Sequence, residues 1–372
     1  MRIGLVAPPF IAVPPKTYGG TELFLSHLAN GLHARGHQVT LYANGDSNVP
    51  CELKWRYRHA EWPLTDHQAA QVKNTTHAAW AIRDAARSVD VVHINDTAAI
   101  PYTTSIDLPV IHTLHHPLEP TLSELYMRHL SICYVAISEF QARHEPMPTT
   151  VVSHHGVVLA DYMFRRDKQD YLAFLGRMAP CKGAHLAIEV ARRTGLPLKL
   201  AGEIQPVFRE YWEREVRPHI DGHHIQYVGE ADRAAKNDLL SNASALLFPI
   251  QWDEPFGLVM IEAMACGTPV LALPGGSVPE IVRDGVSGWI CQDVATMAER
   301  ALAPSIPPES CRDWVADHFS CDQMVLRYLE IYKTAIDAHA ARVRRSLRPT
   351  ALEPGVKSER PLASDEERRV GA

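Results

Sequence analysis

Along most of its length the chain alternates short aliphatic runs with segments of helical periodicity, in two successive series. "RIGLVAP", "QVTLYAN", "VDVVHIN", "LPVIHTL" and "ICYVAIS" are candidate strands in the first 140 residues. Between the first two, "TELFLSHLANGLHARG" carries Leu23, Phe24, Leu28 and Leu32 at helical spacing. A βαβα rhythm with such apolar strands predicts a parallel sheet covered by helices on both faces. A second series runs through "YLAFLGRM", "PLKLAG", "HIQYVG", "SALLFPI", "TPVLAL" and "SGWICQ". The expected fold class is therefore α/β, with two facing Rossmann-like, doubly wound domains at residues 1–165 and 166–335. The short charged segment "VVLADYMFRRDKQD" joins them. The helical pattern "CDQMVLRYLEIYKTAIDAHAARV" is long enough to cross back onto the first domain. Proline-rich, charged residues 346–372 read as a disordered tail. Arg342, Arg344, Arg345 and Arg348 read as a solvated helix end. Doubly wound sheets place ligands at the carboxyl ends of their strands, so two of them would share a cleft.

Composition narrows the function classes. With 372 residues, 46% of them hydrophobic, there is enough apolar material for two cores. A formal net charge of -6 gives no general attraction to nucleic acid or an anionic membrane. No stretch approaches the roughly 18 uninterrupted apolar residues of a membrane span. "MRIGLVAPPF" enters a strand at once and lacks the layout of a signal peptide. Seven cysteines without a CxxC pair read as reduced thiols. Together these features point to a cytoplasmic protein.

The chemistry is concentrated in three places. In "WDEPFGLVMIEAMACGTPV", Glu254 and Glu262 stand eight positions apart, with helical periodicity between them. Pro255 suits a first helical turn, and Asp253 or Glu254 suits its cap. Eight helical residues rise about 12 Å, whereas the carboxylates of a glycosidase stand roughly 5 to 9.5 Å apart. The spacing suits two tasks along one extended ligand. In "FLGRMAPCKG" a strand ends at Gly176, and Arg177 and Lys182 follow on a loop entering a helix. Two cations there suit a diphosphate or, equally, a salt-bridged surface loop. In "PPKTYGGTE", Gly19 and Gly20 would let backbone N–H groups approach an anion, with Thr21 as helix cap and Glu22 in the first turn. Neither GxGxxG nor GxxxxGK[ST] occurs, so nicotinamide and Walker-type sites lack their fingerprints. Of 20 histidines, the doublets at 115–116, 154–155 and 223–224 invite a metal reading. There is no HExxH and no His-plus-carboxylate spacing to support it, so no metal site is expected.

"GGTE" after the first strand, "FLGRMAPCKG" opening the second half and the E-x7-E segment, followed by "PGGSVPEIVRDGVSGWI", together resemble the retaining glycosyltransferases of the GT-B fold, family 4. The resemblance covers residues 1 to about 335 and implies residue roles. Arg177 and Lys182 would hold the donor diphosphate, and Glu254 would attend the transferred sugar. Backbone N–H groups of Phe256, Gly257 and Leu258 would meet sugar hydroxyls and phosphate, and Glu262 the ribose. His115, in "HTLHHP", would face the transferred sugar, and the loop at Gly19 and Gly20 would close on the phosphates. Two departures stand out: Asn95 and Asp96 occupy positions where many members carry another histidine or serine, and Cys181 stands where an acid is frequent. The resemblance implies hexose transfer from a nucleotide sugar to a small-molecule or glycan hydroxyl, with no cofactor, metal or nucleic acid. Uridine diphosphate hexose is the favoured donor and guanosine diphosphate mannose the alternative. "CELKWRYRHAEWPLTDHQ" and "IHTLHHPLEPTLSELY" would shape the acceptor pocket. An epimerase, a phosphorylase or a non-catalytic nucleotide-sugar sensor could share the same two-domain layout. The absent glycine fingerprint disfavours a dehydrogenase.

Overall fold

The computed structural model describes residues 1–346, Tyr18 excepted. Two all-parallel sheets form its frame. The first, in spatial order β3-β2-β1-β4-β5-β6-β7, comprises β1 (Arg2–Val6), β2 (Gln38–Ala43), β3 (Glu52–Trp55), β4 (Val91–Ile94), β5 (Val110–Leu114), β6 (Cys133–Ala136) and β7 (Thr150–Val152). The second, in order β10-β9-β8-β11-β12-β13, comprises β8 (Leu172–Leu175), β9 (Leu198–Ala201), β10 (Ile225–Tyr227), β11 (Ala245–Phe248), β12 (Val270–Ala272) and β13 (Gly288–Ile290). Leu5 pairs with Leu41 on one side and His93 on the other, and Phe174 pairs with Leu200. The central strands are buried on both faces, which is why their sequences are mostly apolar, with His93, His112 and Thr113 as buried polar exceptions.

The strands absent from the sequence reading, β3 and β7, are the two edges of the first sheet. In β3, Glu52 and Trp55 are exposed, and β7 has only three half-buried residues. Edge strands need no double-faced apolar pattern, so neither leaves the signal that revealed the others.

Each sheet reverses its strand order once, between β1 and β4 and between β8 and β11. Loops leaving the carboxyl ends of these strands part there and leave a crevice. The helix Cys321–Ser346 packs on the first sheet. Its fully buried Tyr328 and Tyr332 hydroxyls reach Thr113 Oγ1 at 2.8 Å and His93 Nδ1 at 2.8 Å. Gly31 lets it come close, since a Cβ there would lie 2.4 Å from Val325 Cγ2. The tail expected from residue 346 onward, with Arg348, lies outside the described residues, except that Ser346 ends this helix. The joining segment is no loose linker: Lys168 Nζ donates to Ser241 O, Cys266 O and Thr268 Oγ1 at 2.9–3.0 Å. Among the described residues no helix is long and apolar enough to cross a membrane.

Candidate active site

A cleft of about 1290 Å³ opens between the two sheets. Gly19, Gly20, His115, Arg177, Lys182, Glu254, Phe256, Gly257, Leu258 and Glu262 all line it.

The second sheet supplies most of the charge. β8 ends at Leu175, and Gly176 and Gly202 bring the loops after β8 and β9 into contact. Gly202 has φ 144°, and a Cβ there would fall 1.8 Å from Gly176 O. Arg177 leaves this junction, and its Nη1 donates to Gln205 Oε1 at 3.4 Å. Gln205 in turn donates to Glu203 Oε2 at 2.9 Å. Arg177 therefore meets a carboxamide and, among the described residues, no carboxylate. Its positive charge stays available. Lys182 follows on a short turn, with Nζ 2.5 Å from Glu254 Oε2 and 4.7 Å from the Trp252 ring centre. Trp252 Nε1 donates to the same Glu254 oxygen at 2.8 Å.

The local structure around the two glutamates differs from the expectation. The helix begins at Leu258, not at Pro255, and its cap is Gly257 at φ 78°. Asp253 and Glu254 lie in the preceding loop: Asp253 accepts from Gly276 N at 3.2 Å, and Glu254 O accepts from Ser277 N at 2.9 Å. Contacts with residues 276–277, over twenty positions downstream, hold this loop, so local propensity gave the wrong start. The consequence is chemical, because no side chain caps the Leu258 helix, and Gly257, Leu258 and Val259 at its start line the cleft. Such an end is a ready anion site. Glu262, inside the helix, accepts from Tyr162 Oη at 3.0 Å and from Lys236 Nζ. Neither partner has a local sequence signal, since they lie 100 and 26 residues away.

The first sheet closes the other wall. The helix Gly20–Ala34 starts at Gly20 with Gly19 as its cap at φ 144°, so Thr21 is not the cap. Again no side chain caps the end. A Cβ on Gly20 would sit 3.5 Å from Leu258 Cδ1, so the two uncapped helix starts face each other. Glu22 is buried beside Gly19, and burial pushes its carboxyl up to about 7 against the pull of its own backbone N–H.

His115 stands just beyond β5. Its Nε2 lies 2.8 Å from Asn95 Oδ1, while Asn95 Nδ2 points to His93 O at 3.4 Å. The carbonyl oxygen of Asn95 therefore faces the ring, which places the proton on Nε2 and leaves Nδ1 as an acceptor. Burial, then the neighbouring His155, His116, His112 and His93, hold this ring well below its ordinary pKa, so it is neutral. The His115 and His155 rings stack with centroids 5.6 Å apart, and His155 meets Phe256 edge-on at 5.0 Å. An aromatic file thus runs from one domain's strand end to the other's helix start. Asn95, a departure from the family pattern, is the partner of His115 across two strands, a pairing that leaves no local sequence signal.

Among the described residues no group of three His, Cys, Asp or Glu side chains is placed to hold a metal ion.

Facing parallel sheets with uncapped helix starts on both walls define a class of two-domain α/β proteins whose cleft can receive an anion. The family model for glycosyl transferases group 1 matches residues 163–304, and that for glycosyltransferase family 4 matches residues 18–179. This chain is a glycosyltransferase of the group 1 and family 4 kind, with the GT-B fold. The glycogen synthase of Mycobacterium tuberculosis (strain CDC 1551 / Oshkosh) is 26% identical over 356 residues, 80% of this chain and 84% of that protein. AviGT4, a glycosyltransferase of avilamycin A biosynthesis, superposes with a TM-score of 0.69 at 26% identity, covering 91% of this chain and 98% of that one. Alr3699/HepE of Anabaena, solved in complex with UDP and glucose, shares the fold: TM-score 0.70 at 17% identity, over 90% of this chain and all of that one.

Proposed function

We propose that this enzyme moves a hexose from a nucleoside diphosphate sugar, uridine diphosphate glucose or a close analogue, to an acceptor hydroxyl with retention and without a metal ion. The observation that carries the reading is the convergence of Arg177, Lys182 and the uncapped Leu258 helix on one crevice. As the anomeric bond breaks, the leaving diphosphate gains negative charge. Fixed cations and N–H groups already aimed at that position stabilise it without solvent reorganisation. These cations take the part that a divalent ion plays elsewhere. Glu262 suits the ribose hydroxyls and Glu254 the sugar hydroxyls. His115, neutral and anchored through Nε2, offers Nδ1 as an acceptor for a hydroxyl of the transferred sugar. A neutral imidazole there orients the sugar and supplies no proton. With no side chain assigned as nucleophile, attack on the same face is assisted by the leaving phosphate. The complex of similarly folded HepE with UDP and glucose supports a uridine donor, and a cytoplasmic setting fits the supply of such donors.

The test is a panel of nucleotide sugars with simple hydroxyl acceptors, reading nucleoside diphosphate release and product anomeric configuration in the presence of a chelator. Acceptor-dependent release with the donor's configuration kept, undiminished by chelation, is the expected result. Inversion, loss of activity on chelation, or no release from any donor would overturn the reading.

A further inference from the structure

Outside the donor groups, one carboxylate ties the two walls of the cleft together. Glu280, on the short helix Val278–Ile281 of the second half, accepts backbone N–H groups of Glu139 at 2.7 Å and Phe140 at 2.6 Å, both in the first half. His154 Nε2 meets the same carboxylate at 3.2 Å. The Glu280 side chain is only 15% exposed, while His154 beside it is half-buried and Glu139 is exposed.

Each end of this contact leads directly to a cleft residue. On the Glu280 side, Ser277 N donates to Glu254 O at 2.9 Å and Ser277 Oγ donates to Phe256 O at 2.9 Å. Gly276 packs against the same loop, where a Cβ would lie 2.2 Å from Glu254 O. On the other side, Glu139 and Phe140 open the helix Glu139–His144, which carries Gln141. Gln141 is buried, and its Nε2 donates to Leu114 O at 3.1 Å and to His116 O at 2.7 Å. Those two carbonyls flank His115. Hydrogen bonds therefore connect the Glu254 loop through Ser277 and Glu280 to Glu139 and Phe140, and from there the chain itself leads to Gln141, which holds the backbone around His115.

We propose that Glu280 is a positioning residue for transfer, clamping the His115 strand end and the Glu254 loop in one register across the cleft. The inference rests on the function proposed above only in naming transfer as the step it serves. Glu280 is absent from the cleft lining, so it acts through the groups it holds. Burial opposes its charge, but His154 and the two N–H groups outweigh that and keep the carboxyl below its ordinary range. A clamp of this kind holds reacting groups within the narrow tolerance that catalysis needs, where a misplacement near 1 Å costs on the order of a hundredfold.

The test compares wild type with Glu280→Gln and Glu280→Asp, reading kcat, donor KM, affinity for uridine diphosphate and amide exchange at residues 114–116 and 139–140. Glutamine turns an NH2 group or a weaker oxygen toward two backbone donors. Aspartate keeps the charge with a shorter reach. The expected result for Glu280→Gln is kcat lower by about ten- to hundredfold, nucleotide affinity within about twofold, and faster exchange at both segments, with Glu280→Asp intermediate. Unchanged exchange at Glu139 and Phe140, or a kcat within twofold of wild type, would overturn the clamp. So would loss of nucleotide affinity in proportion to kcat, the mark of a general structural role. A wild type that turns over no nucleotide sugar would sink the function proposed above, and the exchange comparison would still decide the clamp.

Discussion

Lys182 and Glu254 form an ion pair at the floor of the cleft, Nζ to Oε2 2.5 Å, with side chains 15% and 9% exposed. In the function proposed above one serves the donor's diphosphate and the other its sugar, so donor binding is expected to exchange this pair for two ligand contacts. Until then each neutralises the other, which avoids leaving a lone charge in a poorly hydrated site.

Removing Lys182 should therefore act twice. Lys182→Ala is expected to lower kcat by about 10²–10³-fold, the range for losing one preorganised stabiliser of transition-state charge. It also leaves the Glu254 carboxylate without its cation and lowers the melting temperature. Arg177→Ala, whose partner is the neutral Gln205, should give a similar loss of kcat with little change in melting temperature. Steady-state kinetics and thermal unfolding on the two variants separate these effects.

Glu262 should govern donor binding more than turnover. Its carboxylate is held by Tyr162 and Lys236 and sits along the helix from the reacting end. Glu262→Gln is expected to raise donor KM by about ten- to hundredfold, the worth of a hydrogen bond to a charged group, with kcat changed far less. Titration calorimetry with uridine diphosphate should show the same factor.

The close approach of the loops after β8 and β9 makes Gly202 irreplaceable. Gly202→Ala combines φ 144° with a Cβ 1.8 Å from Gly176 O, and should cost more than about 2 kcal/mol while displacing Arg177. Gly195→Ala is the control: φ is 73° but nothing lies within 4 Å, so only backbone strain of about 1 kcal/mol is expected. Denaturant unfolding of both variants checks the contrast.

Stability and nucleotide binding should respond to pH in opposite senses. Burial foremost holds the His77 and His112 rings down to about 4 and the His93 and His155 rings down to about 3. Groups depressed in the folded state stabilise it above the unfolded value of about 6.5 and lose that contribution as pH falls through the folded values. Glu22 at about 7 and Asp96 at about 6, both raised chiefly by burial, work the other way, and their contribution fades as pH rises past the ordinary carboxylate range. Four rings outweigh two carboxyls, so the melting temperature should drop on acidification from about 6.5 toward 4. With the donor phosphates against the Gly19–Gly20 loop, as proposed, an ionised Glu22 beside Gly19 would repel them above pH 7. Uridine diphosphate affinity should therefore fall as pH rises through 7, and Glu22→Gln should flatten that decline.

The sequence disclosed what local patterns encode. Short runs rich in aliphatic and aromatic residues marked eleven of the strands, and Glu254 and Glu262 stood at a spacing that suits one extended ligand, whereas Arg177 and Lys182 suited a diphosphate and a salt-bridged loop equally. What it hid is set by distant contacts. Pro255 looked like a helix start because its own φ and missing N–H allow it, but residues 276–277 capture the loop first. Thr21 looked like a cap, yet Gly19 takes that place with a backbone angle threonine rarely adopts. Asn95, Tyr162, Lys236 and Glu280 owe their importance to partners 20 to 141 residues away.

The claim on which the rest depends is that the cleft grips a diphosphate between Arg177, Lys182 and the Leu258 helix start. A crystal structure with bound uridine diphosphate tests it most directly. The account predicts the terminal phosphate within hydrogen-bond distance of Arg177 and Lys182 Nζ, the Lys182–Glu254 pair opened, and the ribose on Glu262. A nucleotide seated elsewhere, or both cations left facing away from its phosphates, would contradict it.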